Sequence, residues 1–427
     1  MRADRQAGGA SVVEARRRRS RRRSTNIQFA MAIGDLYWDP FDPALRQDPY
    51  PLWKRLRDES PVWRNERYDF WVLSRFQDIE AGHRDTATFS SAHGTTIELM
   101  TPQPMETGMM IALDPPGHTR LRTLVSRAFT TRRIADIEGR IRTVCAALLN
   151  AQVGAGSFDY VQDFGAIVPP TVISALLGIP RDDQPELRHA IDGIFHVEEG
   201  VGMINKVSIS SGNIVRRYLG DQLDDRRVHP REDMLTALVA AELTSGDGQG
   251  RRLTRDEAID FGLMLFVAGT ETVARLLGWA GLVLADHPDQ RAELVADPSL
   301  IPGTVEELLR YEPPSPVNAR WTTRPVELHG EVVPADAKVV LLTGAAGRDE
   351  RVFEDPDQFD IHRRTDLHLS FGYGIHYCLG AALARMEGRI ALEETLRRFP
   401  VWEVDRARAV PLYTSTVRGY LELPISV

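Results

Sequence analysis

Apolar and polar positions alternate along most of the chain with the period of a helix. This pattern holds through residues 134 to 243, and turn-forming residues interrupt it at Gly154 to Ser157, Pro169 and Pro170, Pro180 and Pro230. Short apolar runs bounded by turn residues predict a hairpin from Val62 to Arg64 and Asp69 to Leu73, and strands at Val326 to Leu328, Val332 to Val333 and Val339 to Leu342. We therefore expect a mainly α-helical protein with small β-sheets.

One predicted helix is unusually long. Thr254 and Glu257 form a capping box, and the helical pattern then continues from Arg255 to about Asp286. Its apolar stretch could be read as a membrane span, but Glu271 and Arg275 stand in the middle, where charges in a bilayer are costly. The pattern favours a buried helix that crosses the molecule.

Two stretches lack a clear period. Residues 86 to 112 are rich in Ser, Thr, Gly, Pro and Met, and long irregular segments of this kind are often functional. The segment from about Phe195 to Asn205, which contains Gly200 and Gly202, is typical of a mobile connection between two helices.

Composition is that of an ordinary soluble globular protein, with 43% hydrophobic and 26% charged residues over 427 positions. The net charge of −8 gives no reason to expect a nucleic-acid partner. Residues 1–25 contain nine Arg against Asp4 and Glu14, a net +7 that leaves −15 for the remainder. We expect residues 1–30 to be a disordered Arg-rich extension, absent from the native protein if translation starts at Met31, and residues 31–427 to be a single domain.

No apolar stretch of signal-peptide length follows the arginines, and we expect no membrane anchor. The chain has only two cysteines, Cys145 and Cys378, which is too few for a disulfide framework. Cys145 lies in an apolar run and is expected in the core. These features favour a cytoplasmic protein.

The densest motif is FGYGIHYCLG, from Phe371 to Gly380. Cys378 precedes a predicted helix with apolar positions at Leu379, Leu383, Met386 and Ile390. Unpaired N–H groups at a helix N-terminus favour negative charge, so this position predicts a thiolate that binds a soft or redox-active metal. Gly372 and Gly374 allow a tight turn whose amides point at the sulfur.

Other interpretations of this motif are weaker. A dinucleotide fingerprint requires a third glycine where Tyr377 stands. Zinc would have to use His368, His376 and Cys378 without any paired Cys-x-x-Cys. A buried cysteine after a glycine-rich turn is the ordinary structural alternative.

The segment closely resembles the haem-binding loop of the cytochrome P450 family, F-x-x-G-x-H-x-C-x-G, and Gly372 is an added match. The resemblance covers about residues 35 to 425. It implies haem b (iron protoporphyrin IX) held between a long central helix and the cysteine loop, with Cys378 as the iron ligand. It also makes Phe371, Gly372, His376 and Gly380 cofactor-binding residues.

Two further segments fit this resemblance. DPPGHTRLR, from Asp114, predicts a turn and a helix on which His118 and Arg122 share a face. Taken alone, this is a solvated basic face. In the family, these positions bind the haem carboxylates, as do the positions of Arg320 and His376.

AGTET, from Ala268 to Thr272, lies at the middle of the long helix. Gly269 removes a side chain where the helix would pass a flat cofactor, and Thr272 can bond back to a carbonyl. Glu271 paired with Arg275 at i,i+4 is the structural alternative. The stretch resembles the oxygen-binding motif of the family, in which Ala268 and Gly269 lie against haem, Thr272 steadies the bound oxygen and Glu271 helps relay protons.

The resemblance also assigns structural and substrate residues. Glu307 and Arg310 match a structural pair that is joined by a later arginine, here Arg363. The positions expected to face the substrate are Val267, Ala268, Val317, Asn318 and Ser415. Residues 86 to 112 would cover the substrate pocket, and the connection after Phe195 would be a lid over it.

The implied activity is a monooxygenase that inserts one oxygen atom from O2 into a small apolar organic substrate. No flavin or ferredoxin segment is recognisable, so electrons are expected from a separate ferredoxin and an NAD(P)H-linked reductase. Docking would use basic residues among Arg127, Arg132, Arg133 and Arg385, and a monomer is expected. The alternatives are a peroxide-using haem-thiolate enzyme and a non-catalytic haem sensor or carrier.

Overall fold

The structure is a computed structural model that describes residues 36–42, 48–126, 131–198, 201–244, 250–365 and 367–427. It divides into two compact units, Met1–Asp39 and Pro40–Val427, and the features below belong to the second. The Arg-rich extension expected at residues 1–30 lies outside the described residues, as do residues 245–249.

Helices make up most of the second unit. In chain order they are α1 Tyr50–Glu59, α2 Phe76–Arg84, α3 Gly117–Ser126, α4 Thr131–Asn150, α5 Val168–Leu177, α6 Gln184–Ile194, α7 Lys206–Val228, α8 Met234–Ala240, α9 Arg255–Asp286, α10 Pro288–Ala296, α11 Ile301–Tyr311, α12 Thr343–Ala346 and α13 Ala381–Arg398. A five-residue π-helical turn, Val161–Gly165, precedes α5.

The strands are short and form small sheets. They are β1 Val62–Asn65, β2 Phe70–Leu73, β3 Phe89–Ser90, β4 Ser157–Asp159, β5 Glu242–Thr244, β6 Gly250–Arg252, β7 Asn318–Thr322, β8 Val326–Leu328, β9 Glu331–Val333, β10 Lys338–Leu341, β11 Glu403–Val404, β12 Val410–Tyr413, β13 Arg418–Glu422 and β14 Pro424–Ser426. The largest sheet has the order β1-β2-β10-β7-β3, in which β10 is parallel to β2 and antiparallel to β7.

The predicted long helix is confirmed with the predicted bounds. Thr254 accepts the N–H of Glu257 and the Glu257 side chain accepts the N–H of Thr254, so the capping box forms. In its most apolar 18-residue window, 72% of the residues are buried inside the protein. The helix is long and apolar enough to cross a membrane, but packing within the protein accounts for its apolar residues.

Two hydrophobic clusters pack against α9. The first contains Val273 to Leu284 of this helix together with apolar residues of α4, α11 and α13, and Cys145 lies in it, as predicted. The second contains Ala258 to Phe266 together with apolar residues of α5 to α8. Helix α9 thus forms the centre of the core.

Most predicted elements are present, with two differences. The hairpin β1–β2 and the strands β8, β9 and β10 are confirmed. Pro169 and Pro170 do not interrupt a helix but occupy the first turn of α5, where their missing N–H groups have no helical partner to lose. Arg320 lies within β7, a strand that the sequence pattern did not predict.

Candidate haem-thiolate site

The cysteine loop is a tight turn that ends at the N-terminus of α13. Gly372 and Gly374 have φ angles of 69° and 66°, in the left-handed region that glycine adopts readily. The Cys378 amide donates to the Phe371 carbonyl oxygen at 2.8 Å, which closes the loop, and Gly380 is the N-cap of α13. Phe371 is buried in the core below the loop.

Burial and nearby donors act in opposite directions on the Cys378 thiol. Burial raises the pKa of the Cys378 thiol and outweighs the Gly380 amide, Arg122 and Arg385, which all lower it. The amide that acts on the sulfur is that of Gly380, at the start of α13, rather than that of Gly372 or Gly374. A metal cation bound at the sulfur would favour the thiolate. Cys378 is an exposed residue, so a ligand can reach it.

The middle of α9 presents an uncovered face inside the protein. Ala268 is exposed and Thr272 is half-buried, whereas the helix on either side is largely buried. These two residues are four apart and share a face. Val267 and Leu379, the residue after Cys378, pack against the same hydrophobic cluster. Further along α9, Leu276 lies against Gly388 of α13, the helix that follows the cysteine loop.

Gly269 packs closely against a neighbouring helix. A Cβ atom at this position would lie 3.2 Å from Cδ1 of Ile173, on α5. The missing side chain therefore makes room for packing between α9 and α5, and the uncovered face belongs to Ala268 and Thr272.

Basic side chains from distant parts of the chain meet beside the loop. The rings of His118, on α3, and His376 have centroids 4.3 Å apart. Arg320 Nη2 lies 3.4 Å from Nδ1 of His83, at the end of α2. Burial is the main cause that lowers the pKa of His376, to about 2. Nearby groups lower it further, in the order Arg320, His118, His83 and Arg122. The four predicted carboxylate-binding residues are therefore one cluster, together with His83.

Several nitrogens of this cluster lack a hydrogen-bond partner among the residues that the structure describes. His118 Nδ1 and Nε2, His376 Nε2 and Arg320 Nε are buried without a hydrogen-bond partner there. Burial lowers the pKa of Arg320 to about 10, and nearby Asp114 opposes this shift. The Asp114 oxygens accept from Ser90 Oγ and from the Ser91 amide. Buried donors are normally satisfied, so the cluster fits the two carboxylates of haem.

Glu271 and Thr272 have different surroundings. Thr272 Oγ1 donates to the Ala268 carbonyl oxygen at 2.9 Å, the predicted back-bond. Glu271 is buried and its Oε1 lies 2.6 Å from Arg275 Nη2. Burial raises the pKa of Glu271, and Arg275 opposes this shift. The alternative i,i+4 pair is therefore present.

Arg275 is itself held in place. Its Nη1 donates to the Tyr420 carbonyl oxygen, on β13. A Cβ atom on Gly419 would lie 2.7 Å from Cδ and 2.8 Å from Cβ of Arg275, so only glycine leaves room for the side chain. The guanidinium group is thus fixed between Glu271 and the main chain of β13.

The residues predicted to contact the substrate differ in burial. Val317 is buried and Asn318 is the first, half-buried residue of β7. Ser415 is buried and its Oγ donates to the Glu98 carboxylate, which links the turn after β12 to the irregular stretch at 86 to 112. Burial raises the pKa of Glu98. The connection expected to be a lid joins α6 to α7, and residues 199–200 lie outside the described part.

The structural triad forms as predicted. Arg310 Nε lies 2.7 Å from Glu307 Oε2, and Arg363 Nε lies 3.2 Å from Glu307 Oε1. Arg310 also donates to the carbonyl oxygens of Gly347 and Pro356, at 2.6 and 2.8 Å. The triad joins α11 to the segment that leads into the cysteine loop.

His368, one of the residues considered for zinc, pairs with a carboxylate. His368 Nε2 lies 3.1 Å from Glu306 Oε2, and no group of three metal-binding side chains occurs among the described residues.

Arg385 is not a free surface charge, because Glu306 pairs with it at 2.6 Å and Tyr377 accepts from it at 3.0 Å. Arg127 lies outside the described residues, as do the side chains of Arg132 and Arg133.

Sequence reasoning missed several residues of the site. His83, Gly419 and Tyr420 contribute contacts, yet each belongs to a short element whose local pattern carries no chemical signal. Asp192, on α6, also raises the pKa of Glu271 and was not singled out. Only tertiary structure brings these residues to α9 and the loop.

Comparisons with known proteins agree with this geometry. Residues 213–421 match the family model described as Cytochrome P450. A Mycobacterium tuberculosis protein named cytochrome P450 123 is 40% identical, over 93% of this chain and 99% of the relative. The erythromycin C-12 hydroxylase of Saccharopolyspora erythraea is 39% identical, over 87% of this chain and 92% of the relative. The structure of a cytochrome P450 from Chondromyces apiculatus matches with a TM-score of 0.82 and 34% identity, over 91% of this chain and 97% of that chain.

Proposed function

This chain belongs to the cytochrome P450 family and is a monooxygenase of that family. From this premise, we propose that it oxidises a small apolar organic substrate with O2. The electrons would come from a separate ferredoxin and an NAD(P)H-linked reductase. The observation that carries the proposal is an exposed cysteine at the start of α13, close to Arg122 and to a cluster in which several buried nitrogens have no hydrogen-bond partner among the described residues. The uncovered face of α9 also supports it. Residues 31–427 would form a single, monomeric cytoplasmic domain.

The described residues can hold haem b at defined points. Cys378 would be the iron ligand, with Phe371 packed below it and Gly372 and Gly380 shaping the loop. The haem carboxylates would be bound by the donors of His118, Arg122, Arg320 and His376. Among the described residues, the ring nitrogens of His118, Nε2 of His376 and Nε of Arg320 are buried without a hydrogen-bond partner. When bound, haem supplies the iron chemistry of O2 reduction and oxygen transfer.

The polar residues of α9 would control protons and water. Thr272 keeps its hydroxyl on the uncovered face while it donates to Ala268, so the same oxygen can accept a hydrogen bond from a reactant. Glu271 lies one residue away, and Arg275 opposes the rise in its pKa that burial causes. A carboxyl group in this balance can both take up and release a proton.

The substrate would lie against the same face. Val267 and Ala268 line α9 there, and Val317, Asn318 and Ser415 are the proposed contacts from β7 and the turn after β12. The hydroxylase activity of the Saccharopolyspora relative supports an organic substrate. Ser415 would act through its bond to Glu98, because its own side chain is buried.

The first test is the absorption spectrum of the purified protein, ferric and then reduced under carbon monoxide. We expect a long-wavelength Soret band that disappears in Cys378→Ala and persists in the matched variant Cys145→Ala, whose cysteine lies in the core. A protein from haem-sufficient cells without any Soret band would rule out the cofactor.

A second test separates the monooxygenase from the alternatives. With NADH, a ferredoxin and its reductase, we expect product to form in proportion to NADH consumed. Product formed only with added peroxide would indicate a peroxide-using enzyme. Haem binding without product under either condition would indicate a sensor or carrier.

A further inference from the structure

We propose that His83 is an additional haem-binding residue, a neutral imidazole that holds Arg320 through Nδ1 and donates its Nε2–H to a haem carboxylate. The inference rests on the proposed function, since it requires haem between α9 and the cysteine loop. It assigns a role to a buried histidine that neither the loop motif nor the long helix includes.

The position of His83 places it at the base of the loop. Its side chain is 2% exposed, at the C-terminal end of α2. A Cβ atom on Gly374 would lie 2.9 Å from the His83 carbonyl oxygen, and one on Gly372 would lie 3.8 Å from Cε1 of the His83 ring. Both left-handed glycines of the loop therefore pack on this residue, and the ring edge between its two nitrogens faces the loop.

The tautomer of His83 follows from its neighbour. Arg320 Nη2 lies 3.4 Å from His83 Nδ1, and a guanidinium group can only donate hydrogen bonds. Nδ1 must therefore be the acceptor. Burial, and secondarily the positive charge of Arg320, lower the pKa of His83 to about 3, so the ring is neutral and its single proton lies on Nε2.

That Nε2–H has no hydrogen-bond partner among the residues of the described ranges. It belongs with the unpaired nitrogens of His118, His376 and Arg320, and His83 contributes to the electrostatic field at His376. The neighbouring groups are thus donors or cations. The nearby carboxylate, Asp114, already accepts from Ser90 and Ser91. A haem carboxylate is the acceptor that would satisfy this donor together with the other three residues.

Two substitutions separate the two functions of the ring. His83→Asn retains an oxygen near the Nδ1 position that can accept from Arg320 but removes the outer donor. His83→Phe retains the ring shape and removes both groups. We expect haem to transfer from either variant to excess apomyoglobin about tenfold faster than from the wild-type holoprotein, because a hydrogen bond to a charged group is lost.

The control is His287→Asn, at a half-buried histidine whose Nδ1 bonds the Val283 carbonyl oxygen at 2.8 Å, at the end of α9. Its transfer rate should equal that of the wild type. Wild-type transfer from His83→Asn would overturn the proposed donor role, even if His83→Phe loses haem quickly, because holding Arg320 would then be the whole role. If His83→Phe is purified without haem, the haem transfer rate of His83→Asn alone decides whether His83 is a donor to haem.

The carbon monoxide spectrum separates a failure of the His83 proposal from a failure of the proposed function. A long-wavelength Soret band in wild type and both variants, with equal transfer rates, contradicts the role of His83 and leaves the haem-thiolate assignment standing. No such band in the wild type contradicts the proposed function itself.

Discussion

Arg275 sets the environment of the proposed proton-relay residue. Glu271 is buried, and its pKa is raised by burial and lowered by Arg275. In Arg275→Leu the pKa of Glu271 should rise further, so the carboxyl stays protonated to higher pH and the acid limb of the coupling profile, product formed per NADH, moves to higher pH. We expect coupling at neutral pH to fall about tenfold or more, since proton transfer by a positioned group is disturbed.

The conservative variant Arg275→Lys keeps the positive charge and should recover part of the coupling. Arg406→Leu is the matched control, because Arg406 pairs with Asp286 at the exposed end of α9. Its profile should overlay that of the wild type. An unshifted profile in Arg275→Leu, with lower expression alone, would leave Arg275 a purely structural residue.

Glu306 provides a pH-dependent contribution to stability beside the cysteine loop. Burial alone would raise the pKa of Glu306, but hydrogen bonds from His368 and Arg385 outweigh it and lower the pKa to about 2. A carboxyl with a lowered folded-state pKa stabilises the protein above its unfolded pKa, near 4.5, and this stabilisation is lost as pH falls toward 2.

We therefore expect Glu306→Gln to lower the free energy of unfolding by about 2 kcal/mol at pH 7, with the gap to wild type shrinking by about 1 kcal/mol at pH 4. Urea unfolding at the two pH values measures both numbers. Glu327→Gln, at an exposed position of β8, should change neither. A gap that stays constant with pH would mean that the charge of Glu306 adds no stability.

Single residues were predictable where their role is local. The back-bond of Thr272 and the pairing of Glu271 with Arg275 depend on i,i+4 spacing within one helix, which the sequence displays directly. The contact of Gly269 with Ile173 was not predictable, because Ile173 comes from another helix. A glycine in a helix can indicate close packing, but the sequence does not show which neighbour packs there.

At the scale of the element, the start of α9 depends on its capping box. The exposed residue Thr254 accepts the N–H of Glu257 at 3.2 Å, and Arg251 pairs with Glu257 at 2.7 Å. Thr254→Ala should lower the free energy of unfolding by about 1 kcal/mol, because a helix N–H loses its acceptor. Urea unfolding of the holoprotein measures the change.

The control for this helix cap is Thr123→Ala, on α3. Thr123 Oγ1 bonds the Thr119 carbonyl oxygen within the same helix and caps nothing. Its effect should stay within about 0.5 kcal/mol. Equal destabilisation by both variants would argue that a lost hydroxyl, rather than a lost cap, is being measured.

Elements with strong local signals were predicted with nearly correct bounds. Helix α9 has both a capping box and a long apolar run, and the predicted bounds are those observed. The prolines at 169 and 170 were misread, since the same residues that end a helix also fit its first turn, and only the observed start at Val168 distinguishes the two cases.

At the scale of the molecule, the site is assembled from parts far apart in sequence. His83 ends α2, His118 begins α3, Arg320 lies in β7 and His376 lies in the cysteine loop. The motif located the loop, and the family resemblance located most of the basic residues. His83 stayed hidden because a lone histidine in a short helix has no pattern of its own, and its neighbours become visible only in the tertiary fold.

The triad of Glu307, Arg310 and Arg363 should link overall stability to haem binding. Arg310→Met leaves the carboxylate of Glu307 buried with one of its two arginines removed, and three carbonyl oxygens lose a donor. We expect a loss of about 3–5 kcal/mol in the free energy of unfolding. Because the triad anchors the segment that precedes the cysteine loop, the ratio of Soret to protein absorbance should also fall.

Adding Glu307→Leu to Arg310→Met removes the stranded charge, so the double variant should be more stable than Arg310→Met. It should remain less stable than wild type, because the carbonyl oxygens of Gly347, Pro356 and Gln358 still lack the hydrogen bonds from Arg310. Arg64→Met, at an exposed pair with Asp69, should change unfolding by less than about 1 kcal/mol. If single and double variants are equally unstable, the hydrogen bonds to the carbonyl oxygens, not the buried charge, account for the role of the triad.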